Sequence, residues 1–102
     1  MDELIYTSVT KLARSIRDKE LSSQEVVEAY LARIAAVNPK LNAVVQLTAD
    51  TALAQAKKMD KAFASGKCQG PLHGVPMTIK DSLDTVDAIT TWGTPGRKQF
   101  VP

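Results

Sequence analysis

The clearest helix start in the chain lies in residues 21–34, LSSQEVVEAYLARI. The Ser22 hydroxyl can accept a hydrogen bond from the amide of Glu25, whose carboxylate can reach back, so the two residues form a capping box. Apolar residues then recur with the period of an amphipathic helix. The stretch predicts a helix over residues 23–36 that ends before Pro39, because the residue preceding a proline avoids helical dihedral angles.

Two further helices are predicted, one on each side of this stretch. Apolar residues at helical spacing predict one helix over about 9–19. A second is predicted over about 49–65, with Thr48 as its N-cap and Gly66 as the residue that ends it. The many alanines of the second helix indicate close approach to a flat surface, such as a sheet.

Two short segments have the composition of β-strands, residues 41–47 (LNAVVQL) and 75–80 (VPMTIK). A helix between two strands is the pattern of a parallel βαβ unit, so we predict an α/β fold. Two parallel strands cannot cover their own faces, and the sheet is therefore expected to be incomplete in this chain. Bare apolar faces would favour self-association. Residues 81–102 have no period and predict a loop.

Composition predicts a small protein without a cofactor or a metal. The 102 residues suit one small domain, and 13 basic and 11 acidic residues give a net charge of +2 without a long run of like charge. A nucleic-acid partner is therefore not expected. No membrane span is expected either, because the sequence has no run of 18 apolar residues. One cysteine and a single His73, predicted to be a hydrogen-bonded loop residue, give no metal-ligand spacing. The N-terminus lacks the apolar core of a signal peptide, so a cytoplasmic location is expected, and Arg97-Lys98 are expected to be solvated.

Lys80 is the one side chain for which the residues alone suggest chemistry. It follows Met77 and Ile79 at the carboxyl end of a predicted strand, where the sites of α/β proteins gather. A desolvated lysine in such a place can lose its proton near neutral pH and act as a base. On position alone, a lysine that is solvated or paired with Asp81 or Asp84 is the favoured interpretation.

Residues 70–85, GPLHGVPMTIKDSLDT, resemble the opening block of the amidase signature family, in which Gly-Pro-Leu-x-Gly-Val/Ile-Pro precedes a short strand and Lys-Asp. Residues 21–43 are similar to that family's N-terminal helices and first strand. Residues 90–94, TTWGT, resemble its Thr-Thr-x-Gly-Ser stretch, with Thr94 where the family commonly has serine. The resemblance covers the chain from about Thr7 and implies the first part of a larger amidase-signature sheet.

The resemblance also implies a mechanism with two serines and a lysine. A neutral lysine takes a proton from a bridging serine, which activates the nucleophilic serine that forms the acyl-enzyme. Only the lysine carries over, to Lys80, because the family's serines lie in a Gly/Ser-rich segment beyond residue 102. The implied function is the N-terminal part of an amide hydrolase acting on a small-molecule amide, inactive as a fragment alone. Strand alternation would place Asp81 on the face opposite Lys80.

Two other functions stay open. One is a non-catalytic α/β module for interaction or regulation that keeps the family's scaffold. The other is the A subunit of a glutamyl-tRNA amidotransferase, which shares the N-terminal pattern. Residues 80–85 and 92–96 look more like the free-standing amidases, so the amidotransferase component ranks lower.

Overall fold

A computed structural model describes residues 2–86 and 88–102; Met1 and Asp87, the latter within the loop predicted at 81–102, lie outside the described residues. The helices are α1 (Asp2–Ile5), α2 (Val9–Arg17), α3 (Ser23–Leu41), α4 (Ala49–Ala64) and a 3-10 helix (Pro95–Arg97). The described chain divides into two compact units. Unit 1 contains residues up to 42 and 48–76, and unit 2 contains residues 43–47 and 77–102.

The predicted α/β fold is wrong, because the described residues contain no β-strand and no sheet. The segment predicted as a strand at 41–47 begins with the last residue of α3 and continues as irregular chain. Residues 75–80 also form no regular structure. β propensity describes how side chains fit a pleated surface, but a strand forms only where a second backbone satisfies its N–H and C=O groups. Residues 41–47 and 75–80 have the composition of β-strands, but no second strand pairs with either of them among the described residues.

α3 begins at the predicted capping box but runs beyond its predicted end. The Ser22 hydroxyl accepts from the Glu25 amide at 3.0 Å and donates to the Glu25 carboxylate at 3.2 Å. The helix continues through Pro39, so the predicted stop is wrong. Pro39 lies in the last turn, where the missing N–H removes one bond near a free end. Asn42, at φ 50°, then donates to the carbonyl of Asn38 and closes the helix.

The apolar core lies in unit 1 and joins α1, α2 and α3. The buried members are Leu4, Leu12, Ile16 and Val26, with Leu21, Ala29, Tyr30 and Val75 packed against them. The Tyr30 hydroxyl donates to the carbonyl oxygen of Leu4 at 3.1 Å, so the short first helix is held against α3. α2 is fixed at its start by Ser8, whose hydroxyl accepts from the Lys11 amide at 3.2 Å.

α4 packs against α3, so its alanines approach a helix and not the sheet that was expected. Thr48 is the N-cap residue as predicted, but its side chain makes no capping hydrogen bond. Gly66 ends the helix as predicted, at φ 79°. The Gly66 amide donates to the carbonyl oxygen of Phe63, and the Lys67 amide donates to the carbonyl oxygen of Ala62. These two bonds form a Schellman motif.

Candidate functional site

His73 fixes the motif loop, residues 69–74, against α4 within unit 1. The residue is buried, with 8% of its surface exposed. Nδ1 accepts from the Gln69 amide at 3.0 Å, and Nε2 lies 2.9 Å from the carbonyl oxygen of Met59. Since Nδ1 accepts, Nε2 carries the hydrogen and donates it, which is the pattern of a neutral imidazole. The prediction of a hydrogen-bonded loop histidine is therefore confirmed.

The start of α3 holds the same loop from the other side. The Ser23 hydroxyl donates to the carbonyl oxygen of Gly74 at 2.6 Å. The Asp60 carboxylate of α4 accepts from the amides of Ser23 and Gln24 at 2.7 and 3.0 Å. A carboxylate there satisfies two free N–H groups and lies at the positive end of the helix dipole. These polar residues thus serve the packing of unit 1.

Lys80, the predicted base, lies in unit 2 at the start of a turn. Its carbonyl oxygen accepts from the Leu83 amide at 3.0 Å. Its side chain is exposed, and its ammonium forms no hydrogen bond or ion pair with any residue that the structure describes. Neither Asp81 nor Asp84 therefore neutralises it, and of the two non-catalytic interpretations the exposed side chain agrees with the solvated one and not with the ion pair.

Asp81 is bound to Thr91 instead. One carboxylate oxygen accepts from the Thr91 amide at 2.9 Å, and the other accepts from the Thr91 hydroxyl. The backbone carbonyl of Asp81 accepts from the Trp92 amide at 3.2 Å. The bonds from the Thr91 hydroxyl and amide hold the pKa of Asp81 below its ordinary 3.8, with smaller help from the Gly93 amide and the Arg97 charge and against the effect of burial.

The position of the Asp81 carboxylate is set by Thr91 and not by strand alternation. Strand alternation cannot act where residues 75–80 form no strand. Both carboxylate oxygens accept from Thr91, and the carboxylate forms no ion pair with Lys80 among the described residues. The absence of an ion pair between Asp81 and Lys80 is therefore explained by the bonds to Thr91 and not by strand alternation.

Arg97 is the residue whose role the sequence missed. It was expected to be solvated, but its guanidinium carbon lies 3.9 Å from the ring centroid of Trp92 and 4.0 Å from that of Phe100. Its Nε donates to the carbonyl oxygen of Thr90 at 3.3 Å, and its terminal nitrogen lies 3.6 Å from Asp84. An irregular loop has no repeating side-chain pattern from which contacts can be predicted. Only the presence of aromatic residues in this segment indicated that Arg97 could stack.

Unit 2 leaves much of its apolar surface uncovered. Among its described residues, nine large side chains are between 41% and 80% exposed: Val45, Leu47, Met77, Ile79, Leu83, Val86, Trp92, Phe100 and Val101. The 3-10 helix and the loop around it bury few side chains, with Thr90 as the fully buried example. Surface of this kind is typical of a region that packs against more protein.

Residues 2–86 and 88–102 contain neither a metal-binding cluster nor a membrane-spanning helix. No three acidic, histidine or cysteine side chains there lie close enough together to hold a metal ion. No helix in that part of the chain has the length and apolar character needed to cross a membrane.

Comparison with known proteins gives one family and two kinds of relative. The family model described as Amidase matches residues 25–102. The A subunit of the glutamyl-tRNA(Gln) amidotransferase from Synechococcus sp. (strain CC9605) is 40% identical over 95 residues, which are 93% of this chain and 19% of the relative. The acylamidase of Rhodococcus erythropolis is 42% identical over 91 residues, 88% of this chain and 19% of the relative.

A third relative extends the match to nearly the whole chain. The putative amidase AmiD of Mycobacterium bovis is 40% identical over 101 residues, 99% of this chain and 21% of that protein. The chain thus spans about a fifth of the length of these relatives. Amidases and the amidotransferase component match at similar identity, so identity gives no support for ranking one above the other.

Proposed function

Since the chain belongs to the amidase family, we propose that it supplies the lysine base of an amide hydrolase that cleaves carbon–nitrogen bonds through a serine acyl-enzyme. One observation carries the proposal. Lys80 occupies the lysine position of the family's motif, and its ammonium is unpaired among the described residues because the neighbouring carboxylate binds Thr91. A lysine held in an ion pair would keep its proton, whereas an unpaired one can give it up when buried.

The proposed reaction needs residues that this chain does not contain. The neutral amine of Lys80 accepts a proton from a bridging serine, which takes the proton of the nucleophilic serine as that oxygen attacks the amide carbonyl. The amine or ammonia leaves with a proton, and water then hydrolyses the ester. The two serines, and the side chains that bury Lys80, belong in the proposal to the remainder of an amidase domain whose first part is this chain.

The remaining features of the proposal follow from the family. The substrate is a small-molecule amide, and residues 1–102 form part of one amidase domain. A cytoplasmic location is proposed separately, from an N-terminus that lacks the apolar core of a signal peptide. The 102-residue chain alone should release no ammonia from amides, because it has no Gly/Ser-rich run that could supply the two serines.

A second candidate function is that of an amidotransferase A subunit, the name carried by the Synechococcus relative. Its support is that relatives with this name match the chain as well as amidases do. Both candidates assign the same role to Lys80 and differ in whether the released ammonia goes to solvent or to a second reaction.

A chimera tests the proposal. This chain replaces the matched segment of the Rhodococcus acylamidase, so that the relative supplies the serines. Ammonia release and trapping of the acyl group by hydroxylamine are measured. We expect turnover in the chimera, a loss of about 10²–10⁴-fold in Lys80→Ala, and little change in the matched surface variant Lys58→Ala. A folded chimera that is inactive, or a Lys80→Ala chimera that keeps its rate, would overturn the proposal.

A further inference from the structure

We infer that Asp81 is the positioning residue of this site: its carboxylate holds residues 91–93 against the turn that carries Lys80 and thereby fixes where the lysine side chain begins. The inference rests on the proposed function of Lys80 and adds a second residue to it. Asp81 touches neither a reacting atom nor the lysine ammonium, so its effect on the reaction acts through backbone position.

The contacts of Asp81 converge on one short segment ten residues further along the chain. Both carboxylate oxygens accept from Thr91, one from the amide and one from the hydroxyl. The Thr91 hydroxyl in turn accepts from the Gly93 amide at 3.1 Å. The backbone carbonyl of Asp81 accepts from Trp92 at 3.2 Å. Hydrogen bonds to an ionised acceptor are stronger than neutral ones, so the carboxylate is the strongest link in this set.

The two segments that Asp81 joins are each held by further bonds. On one side, the Lys80 carbonyl accepts from Leu83 and closes the turn. On the other side, the Thr90 amide donates to Phe100 at 2.9 Å, and Arg97 stacks on Trp92. Each segment is therefore locally ordered without Asp81. What the carboxylate adds is their relative placement, which includes the backbone of the adjacent Lys80.

The charges near Asp81 favour the ionised form of its carboxylate at neutral pH. Arg97 contributes favourable attraction to the carboxylate and is itself paired with Asp84 at 3.6 Å. The Lys80 ammonium, next along the chain, is not bonded to the carboxylate. The amide and the hydroxyl of Thr91 both donate to the carboxylate, so an uncharged side chain at position 81 would form weaker hydrogen bonds with them.

Isosteric substitutions separate this role from general stability. In Asp81→Asn an NH₂ group takes the place of one carboxylate oxygen. This donor then lies opposite a donor of Thr91, so one of the two hydrogen bonds is lost. In Thr91→Val the hydroxyl is lost while the shape and the backbone amide are kept, and in Thr91→Ser both donors are kept. A shift of about 1 Å in a catalytic group can lower a rate by about 10²-fold. We therefore expect an effect on kcat and little effect on KM.

The experiment uses the acylamidase chimera that contains the full chain. We expect Asp81→Asn to lower kcat about 10–100-fold with KM within about two-fold, Thr91→Val to act in the same direction, and Thr91→Ser to keep the rate. The double variant should be no slower than Asp81→Asn, because both changes remove the same contact. Asp84→Asn, which alters an exposed carboxylate that pairs with Arg97, is the matched control.

A spectroscopic reading in the 102-residue chain follows the loop directly. Trp92 is the single tryptophan of the sequence, so its emission reports the order of residues 91–93. We expect a changed emission maximum in Asp81→Asn and an unchanged one in Thr91→Ser. An unchanged kcat in Asp81→Asn overturns the inference, and so does a lowered kcat with unchanged Trp92 emission. The proposed function fails differently, through activity retained in Lys80→Ala.

Discussion

The hydroxyl of Ser23 and the carbonyl oxygen of Gly74 lie 2.6 Å apart, so the start of α3 and the motif loop meet with no space between them. Gly74 has a φ of 81°. A Cβ atom at this position would lie 3.1 Å from the Cβ of Ser23 and 3.3 Å from a side-chain carbon of Ile16. The glycine of the motif is therefore required by close packing as well as by backbone conformation.

Gly74→Ala should lower the free energy of unfolding by about 2–4 kcal/mol, since it adds steric overlap to the cost of a left-handed backbone. Gly66→Ala is the matched control, because Gly66 has a φ of 79° and open space around the added atom. It should cost only about 1–2 kcal/mol. Urea unfolding of both variants gives the comparison, and equal losses would show that the contact with Ser23 contributes nothing.

His73→Ala should destabilise unit 1 by about 1–3 kcal/mol, because it leaves the Gln69 amide and the Met59 carbonyl without their partner. The exposed neighbour Lys67→Ala serves as the control and should change stability by less than about 0.5 kcal/mol. Thermal unfolding followed by circular dichroism measures both. A His73→Ala variant as stable as its control would mean that the imidazole does not hold the loop.

The lowered pKa of Asp81 predicts a pH dependence with a definite sign. Its carboxylate is more acidic in the folded chain than the ordinary value of 3.8, so it stabilises the fold above that pH. The contribution falls as the pH drops below 3.8 and is lost once the pH passes the lower folded value. Trp92 emission in the 102-residue chain should therefore be constant near neutral pH and change in the acid range, and Asp81→Asn should lack that step. A step of the same size in Asp81→Asn would assign it to another group.

The exposed apolar side chains of unit 2 predict self-association of the 102-residue chain. The reason differs from the bare sheet expected from the sequence, because no sheet is present in the described residues and irregular segments carry the exposed groups. Sedimentation velocity should show species larger than the monomer that grow with concentration. Val86→Ser in unit 2 should reduce them, and Val9→Ser, an exposed valine in unit 1, should not. A monomer at every concentration would contradict the prediction.

Features set by neighbours in sequence could be predicted, and features set by distant partners could not. The Ser22 cap and the Gly66 helix end depend on bonds that span a few residues, and both occur in the structure. The segments at 41–47 and 75–80 needed partner strands, which their own composition could not guarantee. The helix end predicted before Pro39 was wrong, because a proline destabilises a helix little when it lies in the last turn.

The candidate site divides in the same way. Lys80 was found through the resemblance of residues 70–85 to a family motif, and the structure adds that its ammonium is unpaired among the described residues. The pairing of Asp81 with Thr91 and the stacking of Arg97 on Trp92 join residues five to ten positions apart through an irregular loop. No hydropathy pattern encodes such a loop, so these contacts could not be predicted from the sequence.

The claim that Lys80 is a proton acceptor is tested most directly by Lys80→Arg in the acylamidase chimera, with Lys58→Arg as the matched control. A guanidinium keeps the positive charge and can replace an ammonium in an ion pair, but it cannot give up its proton near neutral pH. We predict that Lys80→Arg loses about 10²–10⁴-fold in kcat, while its thermal unfolding and the control's rate are unchanged. A folded Lys80→Arg chimera that keeps most of its rate would contradict the assignment of Lys80 as the base.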